Sequence, residues 1–142
     1  MGTRSTVKGY WRQGGNAASN TATPAVYKAY VAVSFDPTAV LAGSGKYLPK
    51  GAIPIGVTSL GGSTGGISPT VDVSLSGGAA GGLANELAAD AYGAEVVTGA
   101  ELGVALTADT EIDVGVGASA ATGGTTTVLV SYVMQDDGVV NN

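Results

Sequence analysis

After about residue 25, hydrophobic residues alternate with polar or small residues in several short segments. This period of two is the pattern of a β-strand that buries one of its faces. The clearest segments are Val31–Phe35, Thr70–Leu75, Glu111–Val116 and Thr125–Met134. The last of them, TTTVLVSYVM, has the strongest pattern and is predicted to be a central strand of a sheet.

Prolines and glycines interrupt the pattern in the first half of the chain. Tyr47–Leu60 is interpreted as one bent strand with an edge, a bulge or a kink near Pro49 and Pro54, because proline has no N–H to donate to a neighbouring strand. Further short strands are predicted around Glu95–Val97 and Gly103–Leu106. The glycine-rich segments GGSTGG and GGAAGG are interpreted as loose connections.

One segment, LANELAADAYG, has the spacing of a helix. Leu83 and Leu87 lie four residues apart, and Gly93 is a plausible stop signal. A helix of one or two turns is marginal without packing against other elements. At most one short helix is therefore predicted.

Seven or eight short strands separated by turn residues predict an all-β fold, either a jelly-roll or a Greek-key β-sandwich. The 142 residues suit one domain. Residues 1–24 have no apolar period and are rich in Gly, Asn, Ser and Thr, so they are predicted to form an extended N-terminal arm. Residues 25–142 are predicted to form the sandwich.

The composition limits the chemistry that this chain can perform. It contains neither cysteine nor histidine, so thiolate metal sites and the commonest general base are both missing. No segment has the length of a membrane helix and no apolar leader is present, so no membrane association is expected. Most aromatic residues precede Asp36. The core must therefore be built from Val, Ile, Leu and Ala, and a core this thin favours an oligomer.

Charge is distributed unevenly along the chain. Basic and aromatic residues gather in the predicted arm, whereas the first acidic residue is Asp36; the arm residues are Arg4, Lys8, Tyr10, Trp11 and Arg12. A basic leader on an acidic body indicates that the leader contacts a partner, and this interpretation is favoured over the alternative of an idle, solvated terminus. The acidic body would repel a nucleic-acid backbone, so a protein with an acidic surface fits better.

Asp109, Glu111 and Asp113 alternate along a predicted strand, which would place three carboxylates on one face. Clustered carboxylate oxygens can bind calcium. The spacing of a calcium loop is absent, however, and polar residues are usual on the solvated face of an antiparallel sheet. A solvated face is therefore the favoured interpretation, and no metal or other cofactor is expected.

Enzymatic activity is not predicted from the remaining residues. A glycoside hydrolase would need a carboxylate pair, and the candidates are Glu86, Asp90, Glu95 and Glu101. Nothing in the sequence distinguishes any pair among them. No nucleophile-elbow motif is present either.

The order of the strand segments resembles a class of small structural proteins of tailed bacteriophages. The resemblance lies in YLPKGAIPIGVTSL, then SPTVDVSL, then ALTADTEIDVGVG, and finally GGTTTVLVSYV after a Gly-Gly turn. It covers roughly residues 35–133 by pattern and order, and it contains no catalytic or ligand-binding motif.

This resemblance implies a decoration, or cement, protein on the outer capsid surface of a virion. Such proteins are typically jelly-roll or related sandwiches and commonly homotrimers, and they tie neighbouring subunits of the major capsid protein together. Their N-terminal extensions often reach across neighbouring subunits, and the basic arm of this chain occupies the corresponding place.

Two other functions stay open from the sequence alone. A receptor- or carbohydrate-binding module of a head fibre or tail would be favoured if Tyr47 or Tyr92 lay exposed beside carboxylates in a concavity. A carboxylate-based hydrolase or lyase is the third hypothesis and is given the least weight.

Overall fold

The computed structural model describes residues 26–135, with side chains for residues 28–134. This part of the chain contains ten β-strands and no helix, and therefore no helix that could cross a membrane. The strands are β1 (Val26–Phe35), β2 (Ala42–Leu48), β3 (Ile53–Leu60), β4 (Ser63–Thr64), β5 (Thr70–Leu75), β6 (Ala84–Ala88), β7 (Tyr92–Val96), β8 (Thr110–Val116), β9 (Gly123–Gly124) and β10 (Thr126–Gln135). The all-β prediction is confirmed.

Eight of these strands form two four-stranded sheets. The first sheet has the order β1-β10-β3-β7 and the second has the order β2-β8-β5-β6, while β4 and β9 form a separate short pair. The first long strand thus lies beside the last, the second beside the seventh, the third beside the sixth and the fourth beside the fifth. This is a long antiparallel hairpin rolled into a sandwich, which is the jelly-roll arrangement.

The core lies between the two sheets and consists of aliphatic side chains. Alternate residues of the central strands point inward, so that Val71 and Val73 of β5 and Val128 and Val130 of β10 all contribute to the core, and all four are fully buried. No aromatic side chain among residues 28–134 is fully buried; Phe35 and Tyr132 pack only at the edge of the core. The prediction of an aliphatic core and of a central last strand is confirmed for the described residues.

The predicted bent strand Tyr47–Leu60 is instead two strands in different sheets. β2 ends at Leu48 in the second sheet, and the chain crosses to the first sheet before β3 begins at Ile53. The irregularity expected at Pro54 is present, because Ser131 lies opposite Gly56 while Tyr132 lies opposite Pro54. One extra residue of β3 therefore bulges there, as expected beside a proline that has no donor N–H.

The prediction of a helix in LANELAADAYG is wrong. This segment supplies β6 to the second sheet and β7 to the first. On β6, Leu87 lies opposite Val71 and Ala84 lies opposite Val73, so three steps along β6 match two along β5. The extra residue of this bulge turns both Ala84 and Leu87 inward, and Leu83, just before β6, is buried as well. The spacing of Leu83 and Leu87 therefore comes from a bulged strand and the residue before it, not from a helix.

Two other local predictions need correction. Gly103–Leu106 is not a strand; it is an irregular segment whose Gly103 and Leu106 N–H groups donate to the carbonyls of Pro54 and Ala52. The strand expected around Glu95–Val97 exists, but it begins earlier, at Tyr92.

The glycine-rich segments are close-packed at most of their glycines, although Gly77 of GGAAGG has open space around it. In GGSTGG, Ser63–Thr64 pair with β9, and a side chain at Gly62 would collide with the Thr125 carbonyl. Gly62 also has φ 110°, a conformation that side chains disfavour. Glycine is used here because two backbone segments approach closely, so the interpretation as loose connections is wrong.

Val130→Asp is expected to abolish folding of this domain. Val130 is fully buried in the central strand β10, and an unpaired carboxylate there costs more than about 4 kcal/mol, a large part of the stability of a small domain. Thr127→Asp, on the outward side of the same strand, is the matched control and should still fold. Circular dichroism and thermal melting measure both variants, and a cooperative melt of Val130→Asp near the wild-type temperature would contradict the assignment of the core.

Candidate interaction surfaces

The predicted arm lies outside the residues that the structure describes. Arg4, Lys8, Tyr10, Trp11 and Arg12 all belong to residues 1–24. Their role in contacting a partner stays a prediction.

Asp109, Glu111 and Asp113 do lie in and just before β8, but two of them serve neighbouring backbone groups. The Lys50 N–H donates to Asp109 Oδ1 at 2.8 Å, and the Gly45 N–H donates to Glu111 Oε2 at 2.8 Å. Asp113 lies beside Ser74 of β5. Among residues 28–134, no three carboxylates are arranged to hold a metal ion, so the calcium alternative has no geometric support.

The outer face of the second sheet is acidic. Inward residues of β5 and β8 are buried, which leaves their alternate carboxylates on the outside. We call this surface the acidic face; it contains Asp72, Glu86, Glu111 and Asp113. A charged outer surface is what an antiparallel sandwich normally presents to water.

Glu86 on this face is held by several hydrogen bonds. The Ala118 N–H donates to both carboxylate oxygens at 2.9 Å, the Thr70 hydroxyl donates to Oε1, and the Glu86 N–H donates to Asp72 Oδ1. The Thr70 hydroxyl and then the Ala118 N–H lower the pKa of Glu86 below its ordinary value. Glu86 has φ 59° at the β6 bulge, so these contacts fix an otherwise unfavourable backbone conformation. They join β6 to the segment that follows β8.

Glu101 performs a similar task for the segment after β5. Its carboxylate accepts hydrogen bonds from the N–H groups of Ala79 (2.7 Å) and Leu75 (3.4 Å), and it lies against Gly78 where a side chain would collide. A groove of about 200 Å³ opens beside it, lined by Leu75, Ala100, Glu101, Val104 and Leu106. The groove is mainly aliphatic with one engaged carboxylate.

The four carboxylates considered for hydrolysis are not brought together as a pair. Glu86 and Glu101 are engaged in holding separate connections, Asp90 lies between β6 and β7, and Glu95 lies on β7 of the other sheet. The two tyrosines considered for receptor binding are also separated. Tyr47 is 55% exposed on β2 beside Glu111, and Tyr92 is 84% exposed on β7. Neither tyrosine lines the groove beside Glu101.

The outer face of the first sheet has a different chemistry. Its two inner strands, β3 (IPIGVTSL) and β10 (TTVLVSYVMQ), contain no charged residue. Adjacent outward residues are Leu129 with Thr58, Ser131 with Gly56, and Val133 with Ile53. We call this surface the neutral face. Sequence reasoning missed it, although the lack of charge in both segments was a visible signal.

Comparison with known proteins identifies one informative structural likeness. No protein-family model and no curated protein matches this chain. Among solved structures, a chain described as "Cyanophage Pam1 capsid asymmetric unit" is similar, with 24% sequence identity and a TM-score of 0.55. The similarity covers 87% of this chain and 94% of that chain. The two chains share a fold over nearly the whole length of the solved one.

Glu86→Gln is expected to reduce the acid dependence of stability. Because folding lowers the pKa of Glu86, its carboxylate stabilises the fold above the ordinary glutamate pKa, and this contribution is lost as the pH falls through the folded-state value. The difference in melting temperature between wild type and Glu86→Gln should therefore shrink between about pH 5 and pH 3. Thermal melts across this range measure it.

Thr70 variants provide the control for this experiment. Thr70→Val removes the hydroxyl that lowers the pKa of Glu86 most and should weaken the acid dependence, whereas Thr70→Ser retains the donor and should behave like wild type. A constant difference between wild type and Glu86→Gln at every pH would show that the carboxylate charge is not what holds the bulge.

Proposed function

We propose that this protein decorates the outside of a phage capsid and stabilises it by bridging neighbouring capsid subunits. One observation carries the proposal: the shared fold with a chain of a cyanophage capsid asymmetric unit. The alignment spans 94% of that chain, so the likeness involves the whole of a small capsid component and not one module of a larger protein. The segment order in the sequence supports the same class independently.

The arrangement of the described domain supports a structural role without catalysis. Its carboxylates accept hydrogen bonds from backbone N–H groups, as Glu86, Glu101, Glu111 and Asp109 do. Most glycines of its glycine-rich connections are close-packed. Connections that are held in this way suit a protein that ties subunits together against internal pressure.

The arm is the proposed contact with the major capsid protein. Arg4, Lys8 and Arg12, together with Tyr10 and Trp11, offer positive charge and aromatic area to an acidic shell surface. Aromatic residues and arginine are enriched in the energetically important part of interfaces. In a homotrimer, three arms would bind adjacent subunits, and avidity would rise by about 10²–10⁴ over one arm.

The experiment is binding of the purified full chain to capsids that lack it, followed by co-sedimentation. Wild type should bind to saturation and raise the temperature at which the capsids break. A variant with Arg4, Lys8 and Arg12 all changed to Gln should bind at least tenfold more weakly. Failure of the wild-type chain to bind any such capsid would contradict the proposed function.

A matched control separates the arm from general electrostatics. Lys46 and Lys50 are exposed basic residues of the folded domain, and changing both to Gln should leave capsid binding near the wild-type level. Equal losses in the arm variant and in this control would contradict the proposed role of the arm while leaving decoration itself intact.

A further inference from the structure

We infer that the outer edge of β1 is the folded domain's own contact with the capsid, and that an extended segment of the major capsid protein pairs with it as an additional strand. The inference rests on the proposed function and deepens it, because it names the part of the described domain that meets the shell. It concerns residues 28–35 and not the arm.

Four strands of the described domain lie at sheet edges, and three of them are irregular. The edge strands are β1 and β7 of the first sheet and β2 and β6 of the second. The pairing of β2, β6 and β7 with their neighbours shifts register within each strand, and such bulges discourage pairing with a further strand. β1 (VYKAYVAVSF) is the longest of the four and contains neither glycine nor proline.

The backbone of β1 offers hydrogen-bonding groups on its outer side. In an antiparallel pair, alternate residues direct their N–H and C=O groups to the neighbouring strand, and the residues between them direct these groups away from it. Among residues 26–135, β10 is the one strand beside β1, so about half of the β1 backbone groups point to the edge. Such an edge is a template for an extended segment of another chain.

The outward side chains of β1 suit a contact with a protein. Val33 is fully buried in the core, so the even-numbered residues of β1 face outward. Tyr30 is 55% exposed, and the Lys28 ammonium lies 5.6 Å from the centroid of its ring. Aromatic side chains are enriched in interfaces. Ala32 is exposed and too small to hinder a partner strand.

Charge makes the edge of β1 the side of the domain that an acidic partner can approach. The arm is basic, and its proposed partner surface is therefore acidic. β6 carries Glu86 and β7 carries Glu95. β2 has one lysine, but it lies beside Glu111 and Asp113 of β8. β1 carries Lys28 as its single charge, and β10 beside it has none. An acidic shell surface is therefore attracted at β1 and opposed by carboxylates at the other three edges.

The edge of β1 is also continuous with the arm along the chain. The basic and aromatic residues of the arm end at Arg12, and β1 begins at Val26. Residues 13–25 between them span at most about 45 Å. An arm bound to the shell therefore keeps the beginning of β1 close to the same surface, which raises the effective concentration of this edge there.

Photo-crosslinking on capsids tests which surface meets the shell. The chain contains no cysteine, so Ala32→Cys on β1 and Ala42→Cys on β2 each provide one site for a benzophenone maleimide. Both alanines are exposed on an edge strand, which makes the second variant a matched control. On capsids that lack this protein, the label at position 32 should crosslink to the major capsid protein or block binding, and the label at position 42 should do neither.

Hydrogen exchange of the wild-type full chain tests the strand pairing itself. The β1 amides that point to the edge should exchange rapidly in the free chain and slowly on the capsid, so about half of the β1 amides should gain protection. The β2 peptide should be unchanged. Lys28→Glu should also weaken capsid binding by about tenfold or more, whereas Lys46→Glu on the β2 edge should bind like wild type.

Three results would overturn the inference. The first is a crosslink from position 32 to a second copy of this chain in place of the shell, which would make β1 a contact between copies. The second is a crosslink to the shell from position 42 alone. The third is a capsid-bound chain whose β1 amides exchange as fast as in the free chain. Failure of the proposed function is distinguishable, because the wild-type chain would then not co-sediment with capsids, whereas failure of this inference alone leaves that binding intact.

Discussion

Packing of aliphatic side chains between two four-stranded sheets is the interaction on which the rest of the described structure depends. Val71, Val73, Val128 and Val130 are fully buried without an aromatic residue among them, so each contributes a modest apolar area. Apolar packing in a core of this kind contributes little to holding the connections at the ends of the sandwich in place. Those connections are held by polar contacts instead, and the carboxylates of Glu86 and Glu101 are employed there as acceptors for backbone N–H groups.

The same constraint leaves the two outer faces free to differ in chemistry. Once alternate residues are committed to the core, the remaining positions of each strand are free to set the chemistry of the surface. The second sheet uses them for carboxylates, among them Asp72 and Asp113. The first sheet uses them for uncharged residues, among them Leu129, Val133 and Ile53.

Much of the fold could be predicted from the sequence because the period of two is a local signal. It identified β5, β8 and β10 nearly to the residue, and Pro54 indicated the bulge in β3. The failures occurred where the period is broken by a tertiary contact. In β6 an extra residue at Glu86 spaces Ala84 and Leu87 as in a helix, and the hydrogen bonds that fix this bulge come from Ala118, 32 residues away.

The candidate surfaces were predicted less completely. The sequence predicts a solvated face for the carboxylates of β8, and they lie on one. Their role as acceptors for the N–H groups of Gly45 and Lys50 is not visible in the sequence, because these residues are remote from β8 in the chain. Gly62 lies in a segment that the sequence predicts to be flexible, because the sequence alone does not show that the Thr125 carbonyl lies against it. The neutral face emerges only when β3 and β10, far apart in the chain, are seen to be neighbours in one sheet.

Decoration of a capsid lattice requires many copies of this protein in every virus particle, so its copy number in purified particles is the decisive measurement. Quantitative mass spectrometry against the major capsid protein gives this number. Many copies are expected, in a simple whole-number ratio to the shell protein. A few copies per particle would instead indicate a fibre, neck or tail component, and either that result or complete absence from particles would contradict lattice decoration.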